Sequence, residues 1–141
     1  MIYNGHYWQA IDAENRVELP EAIRRVSDSS QYVITRGLKA CLLLYPIERW
    51  KEMQTEVVQL NDLRDKVRHF YRRLFMWALD TTADENGRIE IPSKLREVAD
   101  LDQRVLLLGA DTHVELWDPT RLEEYLDEKA ERSAQYRRQS D

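Results

Sequence analysis

An internal repeat constrains the fold of this 141-residue chain more than any other feature of its sequence. Residues 12–20 (DAENRVELP) align without a gap with residues 84–92 (DENGRIEIP), so that Asp12 recurs as Asp84 at an offset of 72 positions. Self-similarity at one fixed offset indicates a duplicated structural unit. The same offset continues through these pairs: Arg24 and Arg96, Val26 and Val98, Asp28 and Asp100, Gln31 and Gln103, Val33 and Val105, Gly37 and Gly109, Leu44 and Leu116, Arg49 and Arg121.

The repeat predicts how the chain is divided. We expect two copies of one β unit, over residues 5–48 and 77–120, joined by a helical connector over 49–76. Residues 121–141 are predicted to form a C-terminal helix and a polar tail. Within each copy the expected order is strand, turn, strand, short helix and then a hairpin, because turn-forming residues punctuate short apolar runs.

Each copy contains a tight turn near its start. Asn86-Gly87 is typical of such a turn, because glycine adopts a positive φ at no steric cost. In the first copy Asn15 stands in place of Gly87, and asparagine tolerates left-handed geometry better than most residues. Asp12 and Asp84 open these turns, where an aspartate caps backbone N–H groups. The predicted turn-forming residues are therefore Asp12, Asn15, Asp84 and Gly87.

Polar and apolar residues alternate directly after each turn. Residues 16–19 (RVEL) and 88–91 (RIEI) follow the period of a half-buried strand, which turns the arginine and glutamate of each copy outward. Pro20 and Pro92 end these strands and suit the first turn of a short helix. A second pair of strands is predicted in each copy, over 32–35 and 42–45 and over 105–108 and 114–117.

Apolar residues spaced three and four apart predict amphipathic helices outside the β units. One helix is expected from about residue 47 to 60, and Asp118-Pro119 predicts the start of a last helix, whose tail beyond about Ala130 should fray. The fold class is therefore α+β. The inward positions are predicted to be Ile47, Trp50, Met53, Val57 and Leu60, followed by Leu63, Val67, Phe70, Leu74 and Trp77.

Composition and charge exclude several classes of protein. No apolar run approaches the roughly 20 residues that span a bilayer, so we expect a cytoplasmic protein. Cys41 is the single cysteine and lies in an apolar run, which excludes disulfides and zinc ribbons. The net charge of −5 argues against a binder that relies on its whole surface, although residues 64–73 hold five basic residues against one acidic residue. The histidines show no metal-ligand spacing, and no catalytic constellation or cofactor site is visible.

Several motifs in order carry a family resemblance. They are the duplicated Asp-x-x-x-Arg-x-x-x-Pro, residues 35–38 (TRGL), residues 41–46 (CLLLYP) and residues 109–118, ending in ELWD. The chain resembles the MraZ family across nearly its full length. The resemblance implies two tandem SpoVT-AbrB-like swapped-hairpin units that form one pseudo-twofold β-barrel and assemble into a ring-shaped homo-oligomer. It also implies a regulator that binds G-rich direct repeats in the promoter of the division and cell-wall gene cluster, which includes its own gene.

The resemblance and the repeat together select candidate DNA-binding residues. Arg16 and Arg88 are the leading candidates, because an arginine at a β-turn edge can enter the major groove and contact guanine O6 and N7. Arg24 and Arg96 come second, for phosphate or subunit contacts, and Lys94 is added to this set. The expected partners are double-stranded DNA and further copies of the chain, in a nucleoid-associated protein without a small-molecule ligand.

One departure from the family pattern affects the first copy. Family members usually have Lys-Gly before the motif arginine, and here that dipeptide is Glu14-Asn15. The change reverses one charge beside Arg16, so the second copy, with Gly87-Arg88, is expected to dominate DNA contact.

Three alternatives stay open at this point. The aspartates and arginines could serve only the fold, in a ring scaffold whose acidic C-terminal helix binds partners and which shows no salt-dependent DNA affinity. An antitoxin-like regulator would need a toxin-binding tail, whereas the residues after Asp118 continue as a helix. An enzyme is the weakest alternative, because Glu18 and Glu90 lie on strands with no accompanying base, nucleophile or metal cluster.

Overall fold

The fold is known from a computed structural model that describes residues 2–37, 39–59 and 65–140, with side chains described up to residue 135. It combines helices with strands that pair antiparallel, which confirms the predicted α+β class. The elements are β1 (His6–Ala10), β2 (Arg16–Glu18), α1 (Glu21–Arg24), β3 (Gln31–Arg36), β4 (Cys41–Pro46), α2 (Ile47–Gln59), α3 (Asp65–Met76), β5 (Leu79–Thr82), β6 (Arg88–Glu90), α4 (Ser93–Val98), β7 (Arg104–Ala110), β8 (His113–Trp117) and α5 (Pro119–Ser140).

The strands form one six-stranded sheet and one two-stranded ribbon. The sheet has the order β1-β7-β8-β4-β3-β5, and β2 pairs with β6 in the ribbon; every pairing is antiparallel. The first strand of each copy pairs with the third strand of the other copy, β1 with β7 and β5 with β3. Exchanging the two copies reverses the strand order but leaves it otherwise unchanged. The copies are therefore interleaved and cannot be pulled apart without breaking the sheet.

The sheet keeps two edges. β1 and β5 each have one strand neighbour in it, so the ladders between described residues do not close it into a ring. A bridge between Ile11 and Val17 connects the ribbon to the segment after β1. The described strands form an open sheet with a ribbon beside it, and the predicted pseudo-twofold β-barrel is not confirmed.

Apolar side chains are buried on both faces of the sheet. Along β4, Leu42 and Leu44 belong to a core shared with the ribbon, whereas Cys41, Leu43 and Tyr45 belong to a core shared with the long helices. This alternation follows from the two-residue period of a strand, whose successive side chains point to opposite faces. The ribbon and the short helices thus cover one face, and α2, α3 and α5 cover the other.

The helices follow most of the predicted pattern. Trp50 and Met53 of α2 and Leu74 of α3 are buried, while Val67 is 38% exposed; Leu60 and Leu63 lie outside the described residues. α5 continues as a helix to Ser140, beyond the predicted end near Ala130, because its sequence is rich in strong helix formers such as alanine, glutamate and arginine. None of the helices described is long and apolar enough to cross a membrane.

Candidate nucleic-acid interface

The β2–β6 ribbon carries the two leading arginines on its outer face. Val17 and Ile89 pair at its centre and are fully buried, so the residues on either side of them point outward. Arg16 lies opposite Glu90, and Glu18 lies opposite Arg88. Basic and acidic side chains therefore alternate across this outer face.

An aspartate closes the turn before each arginine. Asp12 Oδ1 accepts hydrogen bonds from the N–H groups of Glu14 at 2.8 Å and Arg16 at 2.9 Å. Asp84 Oδ1 accepts two equivalent bonds, from Asn86 and Arg88, both at 2.9 Å. The main cause that lowers the pKa of each aspartate is the hydrogen bond from the backbone N–H of the arginine four residues later. A smaller cause is the side chain of the arginine from the other copy, which pairs with the second carboxylate oxygen.

The turns need one residue each in left-handed geometry. Asn15 has a φ of 64°, and Gly87 has a φ of 74°. These two residues also connect the copies, since the N–H of Leu19 donates to the Gly87 carbonyl at 2.8 Å and that of Ile91 to the Asn15 carbonyl at 2.7 Å. Each turn is thus bonded to the strand end of the other copy.

The arginines also form ion pairs with the aspartates of the other copy. Arg16 Nη1 donates to Asp84 Oδ2 at 2.8 Å, and Arg88 Nη1 donates to Asp12 Oδ2 at 3.0 Å. The two side chains are 37% and 44% exposed, and ion pairs at such surfaces contribute at most about 1 kcal/mol to stability. The pairs therefore orient the guanidinium groups more than they stabilise the fold.

Arg24 and Arg96 contact the same turns. Arg96 donates through Nη1 to the Asn15 side-chain oxygen, through Nε to the Leu101 carbonyl at 3.1 Å and through Nη2 to the Asp102 carbonyl at 2.8 Å. Arg24 donates through Nε to the Leu19 carbonyl at 3.0 Å, and its guanidinium packs over Gly87. Both arginines thereby brace the turn of the opposite copy.

The sequence analysis did not predict that Arg24 and Arg96 contact the turns, or that each aspartate pairs with the arginine of the other copy. The four-residue spacing of aspartate and arginine in both copies was the feature that could have indicated this pairing, once β2 and β6 are adjacent. Lys94 is exposed on α4, and no hydrogen bond or ion pair joins its side chain to another described residue.

The charges around the ribbon are balanced rather than basic. Acidic residues slightly outnumber basic ones there, so a single chain offers DNA phosphates little net attraction. The basic set is Arg16, Arg24, Arg88, Lys94 and Arg96, and the acidic set is Asp12, Glu14, Glu18, Asp84, Glu85 and Glu90. Across the described ranges, the structure holds no cluster of three side chains suited to a metal ion.

Comparison with known proteins identifies the family. The family model for the MraZ protein matches the chain twice, over residues 2–73 and 74–141. A transcriptional regulator MraZ from Moorella thermoacetica is 37% identical over 130 residues, covering 92% of this chain and 90% of its own. Those of Pediococcus pentosaceus (35% over 130 residues; 92% and 90%) and Heliobacterium modesticaldum (37% over 129 residues; 92% and 89%) are similar. These relatives are named as regulators and not as enzymes, and the chain belongs to the MraZ family.

Proposed function

We propose that this chain is a DNA-binding transcriptional regulator that reads base edges with Arg16 and Arg88. The names of its relatives support the class, and the reciprocal pairs Arg16–Asp84 and Arg88–Asp12 support the residues. These pairs orient both guanidinium groups on the outer face of the ribbon, and that geometry is the single observation on which the assignment depends.

The aspartates act as positioning residues in this proposal. A guanidinium has five N–H donors, and the pair with aspartate uses one of them. Among the described residues, no hydrogen bond involves Nη2 of Arg16 or of Arg88. These donors are free for guanine O6 and N7, the commonest specific contact to that base. An arginine held in one orientation before binding also loses less side-chain freedom when it binds.

Assembly compensates for the weak attraction of one chain. We propose that copies of the chain form a ring that binds successive G-rich direct repeats in the promoter of the division and cell-wall gene cluster. Each bound unit raises the effective concentration of the next unit at its own repeat. The regulator would then act in the cytoplasm, at the nucleoid.

The interleaved copies are proposed to act as one unit, the pseudo-twofold swapped-hairpin barrel. The exchange of first strands supports this geometry, as do the bonds between the ribbon and the edge strand β5. Thr81 Oγ1 donates to the Glu90 carbonyl at 3.1 Å and accepts from its N–H at 3.3 Å.

Fluorescence anisotropy tests the proposal with labelled duplexes that carry G-rich repeats or a scrambled sequence, at two salt concentrations. Wild type should prefer the repeats, and Arg88→Ala should reduce that preference by about 5-fold to 150-fold, because one bidentate contact discriminates by roughly 1–3 kcal/mol. Arg16→Ala should act in the same direction.

Arg121→Ala is the matched control. Arg121 also forms a surface ion pair, with Asp100 at 3.1 Å, and is 46% exposed, but it lies on α5. Its substitution should leave the preference intact. Equal loss in Arg88→Ala and Arg121→Ala would point to net charge instead of base reading, and wild type without any preference at low salt would refute the proposal.

A scaffold without specific DNA binding is the second candidate, and the acidic excess around the ribbon favours it. It predicts no salt-dependent affinity for any duplex, so the same titration separates the two functions.

A further inference from the structure

Arg36 lies on β3 and Arg73 on α3, near the contact between these two elements. Thr35 Oγ1 donates to the Leu74 carbonyl at 2.6 Å, in a buried contact that fixes the positions of the next residues along the chain. The guanidinium of Arg36 lies 5.4 Å from the centre of the Trp77 ring. Trp77 follows Arg73 by one helical turn, and its backbone N–H donates to the Arg73 carbonyl at 3.3 Å. The indole that Arg36 packs on therefore belongs to a residue one helical turn after Arg73.

Neither of these arginines has a counter-charge among the described residues. In residues 2–37, 39–59 and 65–135, ion pairs involve Arg16, Arg49, Arg88 and Arg121, whereas Arg36 and Arg73 form none. The Nε atoms of both are enclosed and lack a hydrogen-bond partner. Burial is the main cause that lowers the pKa of Arg36, and the charge of Arg73 lowers it further. Two half-buried cations whose charges act on each other are stabilised when an anion joins them.

The repeat shows that the fold itself does not need this arrangement. The position equivalent to Arg36 in the second copy is Leu108, in the corresponding strand β7. Stacking on Trp77 favours a cation at position 36, and the C-terminal end of α3 favours a cation at position 73. Neither provides a hydrogen-bond acceptor for the enclosed Nε atoms, so both guanidinium groups keep N–H donors from which no described residue accepts.

We propose that Arg36 and Arg73 form a binding site for a phosphate group. Guanidinium forks match the oxygens of a phosphate with paired N–H bonds, and two positive charges match a dianion. Both side chains stay partly exposed, so an anion can reach them from solvent. The phosphate can come from a free phosphorylated compound or from a nucleic-acid backbone. The site does not depend on base reading by Arg16 and Arg88.

Arg36→Leu tests the site, because leucine is the residue that the other copy carries at this position. Thermal unfolding is followed against inorganic phosphate, with chloride added to keep the ionic strength constant. Phosphate should raise the midpoint of wild type and of Arg121→Ala, and its apparent affinity should fall about tenfold or more in Arg36→Leu. Arg73→Gln should give the same loss by an independent substitution.

A second titration, with a short oligothymidylate, distinguishes the two sources. Loss of the inorganic phosphate response in Arg36→Leu with oligothymidylate binding retained assigns the site to free phosphorylated compounds, and loss of oligothymidylate binding assigns it to a nucleic-acid backbone. Arg36→Leu that responds like wild type in both titrations overturns the proposal. Arg88→Ala should leave the phosphate response unchanged, so failure of this site and failure of the proposed function are separate results.

Discussion

Gly87 and Asn15 occupy equivalent positions in the two turns. The effect on stability of replacing Gly87 can be calculated from this equivalence. Gly87 has a φ of 74°, and a Cβ added to it would lie 2.7 Å from the Arg24 guanidinium. Asn15 has a φ of 64°, and its side-chain oxygen accepts a hydrogen bond from Arg96. We therefore expect Gly87→Asn to be tolerated and Gly87→Ala to be destabilising.

The magnitude follows from two contributions. Left-handed geometry costs an alanine roughly 1–2 kcal/mol, and asparagine less. The new methyl group also pushes Arg24 away from the Leu19 carbonyl, which loses a partly exposed hydrogen bond worth about 0.5–1 kcal/mol. Gly87→Ala should lower the free energy of unfolding by about 2 kcal/mol in total. Gly87→Asn can pair with Arg24 as Asn15 pairs with Arg96, and should stay within about 1 kcal/mol of wild type.

Urea denaturation at one fixed chain concentration measures the difference, since assembly of the chain would make its stability depend on concentration. The denaturant slope should be equal in the three proteins, so that the midpoints report stability alone. Equal destabilisation by alanine and asparagine, or a Gly87→Ala protein as stable as wild type, would refute the reasoning from the repeat.

Three further predictions concern single residues. Gly109→Ala should cost more than about 2 kcal/mol and exceed Gly37→Ala, because the new Cβ meets the Asn4 backbone at 2.4 Å in the first case and the Cys41 sulfur at 2.9 Å in the second; equal urea midpoints would contradict this. Asp84→Asn should make the free energy of unfolding fall less steeply below about pH 4. The native pKa of Asp84 is lowered, so its contribution to stability is present above its ordinary pKa and lost as pH falls through the native pKa. An unchanged dependence of stability on pH in the acid range would contradict this. Burial raises the pKa of Cys41 to about 12, so a disulfide reagent at about pH 8 should label it only after unfolding, and rapid native labelling would exclude that environment.

Local chemistry made much of the fold predictable. The alternation in residues 16–19 and 88–91 predicts which side chains face the core, and Val17 and Ile89 are fully buried as expected. The offset of 72 also relates the helices that extend beyond the predicted copies, since α2 begins at Ile47 and α5 at Pro119, the equivalent position. Period, turn residues and register are properties of neighbouring residues, so one sequence suffices to read them.

Pairing between the copies was not predictable in the same way. Nothing local distinguishes β1 paired within its own copy from β1 paired with β7, because both pairings bury the same alternating face. The roles of Arg24 and Arg96 depend on that choice, since each braces a turn that is distant in sequence. A residue that acts through a distant partner is visible only when the topology is known.

The two turn arginines share a backbone geometry but differ in charge environment, and this difference bears on how the proposed ring would read DNA. Arg16 is paired with Asp84 at 2.8 Å and also lies 3.7 Å from Glu14, whereas Asp12 is the one ion-pair partner of Arg88 among the described residues. A carboxylate beside the contact would repel the DNA phosphates, so the proposal predicts that copy two dominates within every chain. With one dominant arginine per chain, the whole subunit, and not the half-subunit repeat, would set the spacing between base contacts. Replacing Glu14 with a neutral residue should therefore strengthen the contribution of copy one without moving the contacts of copy two.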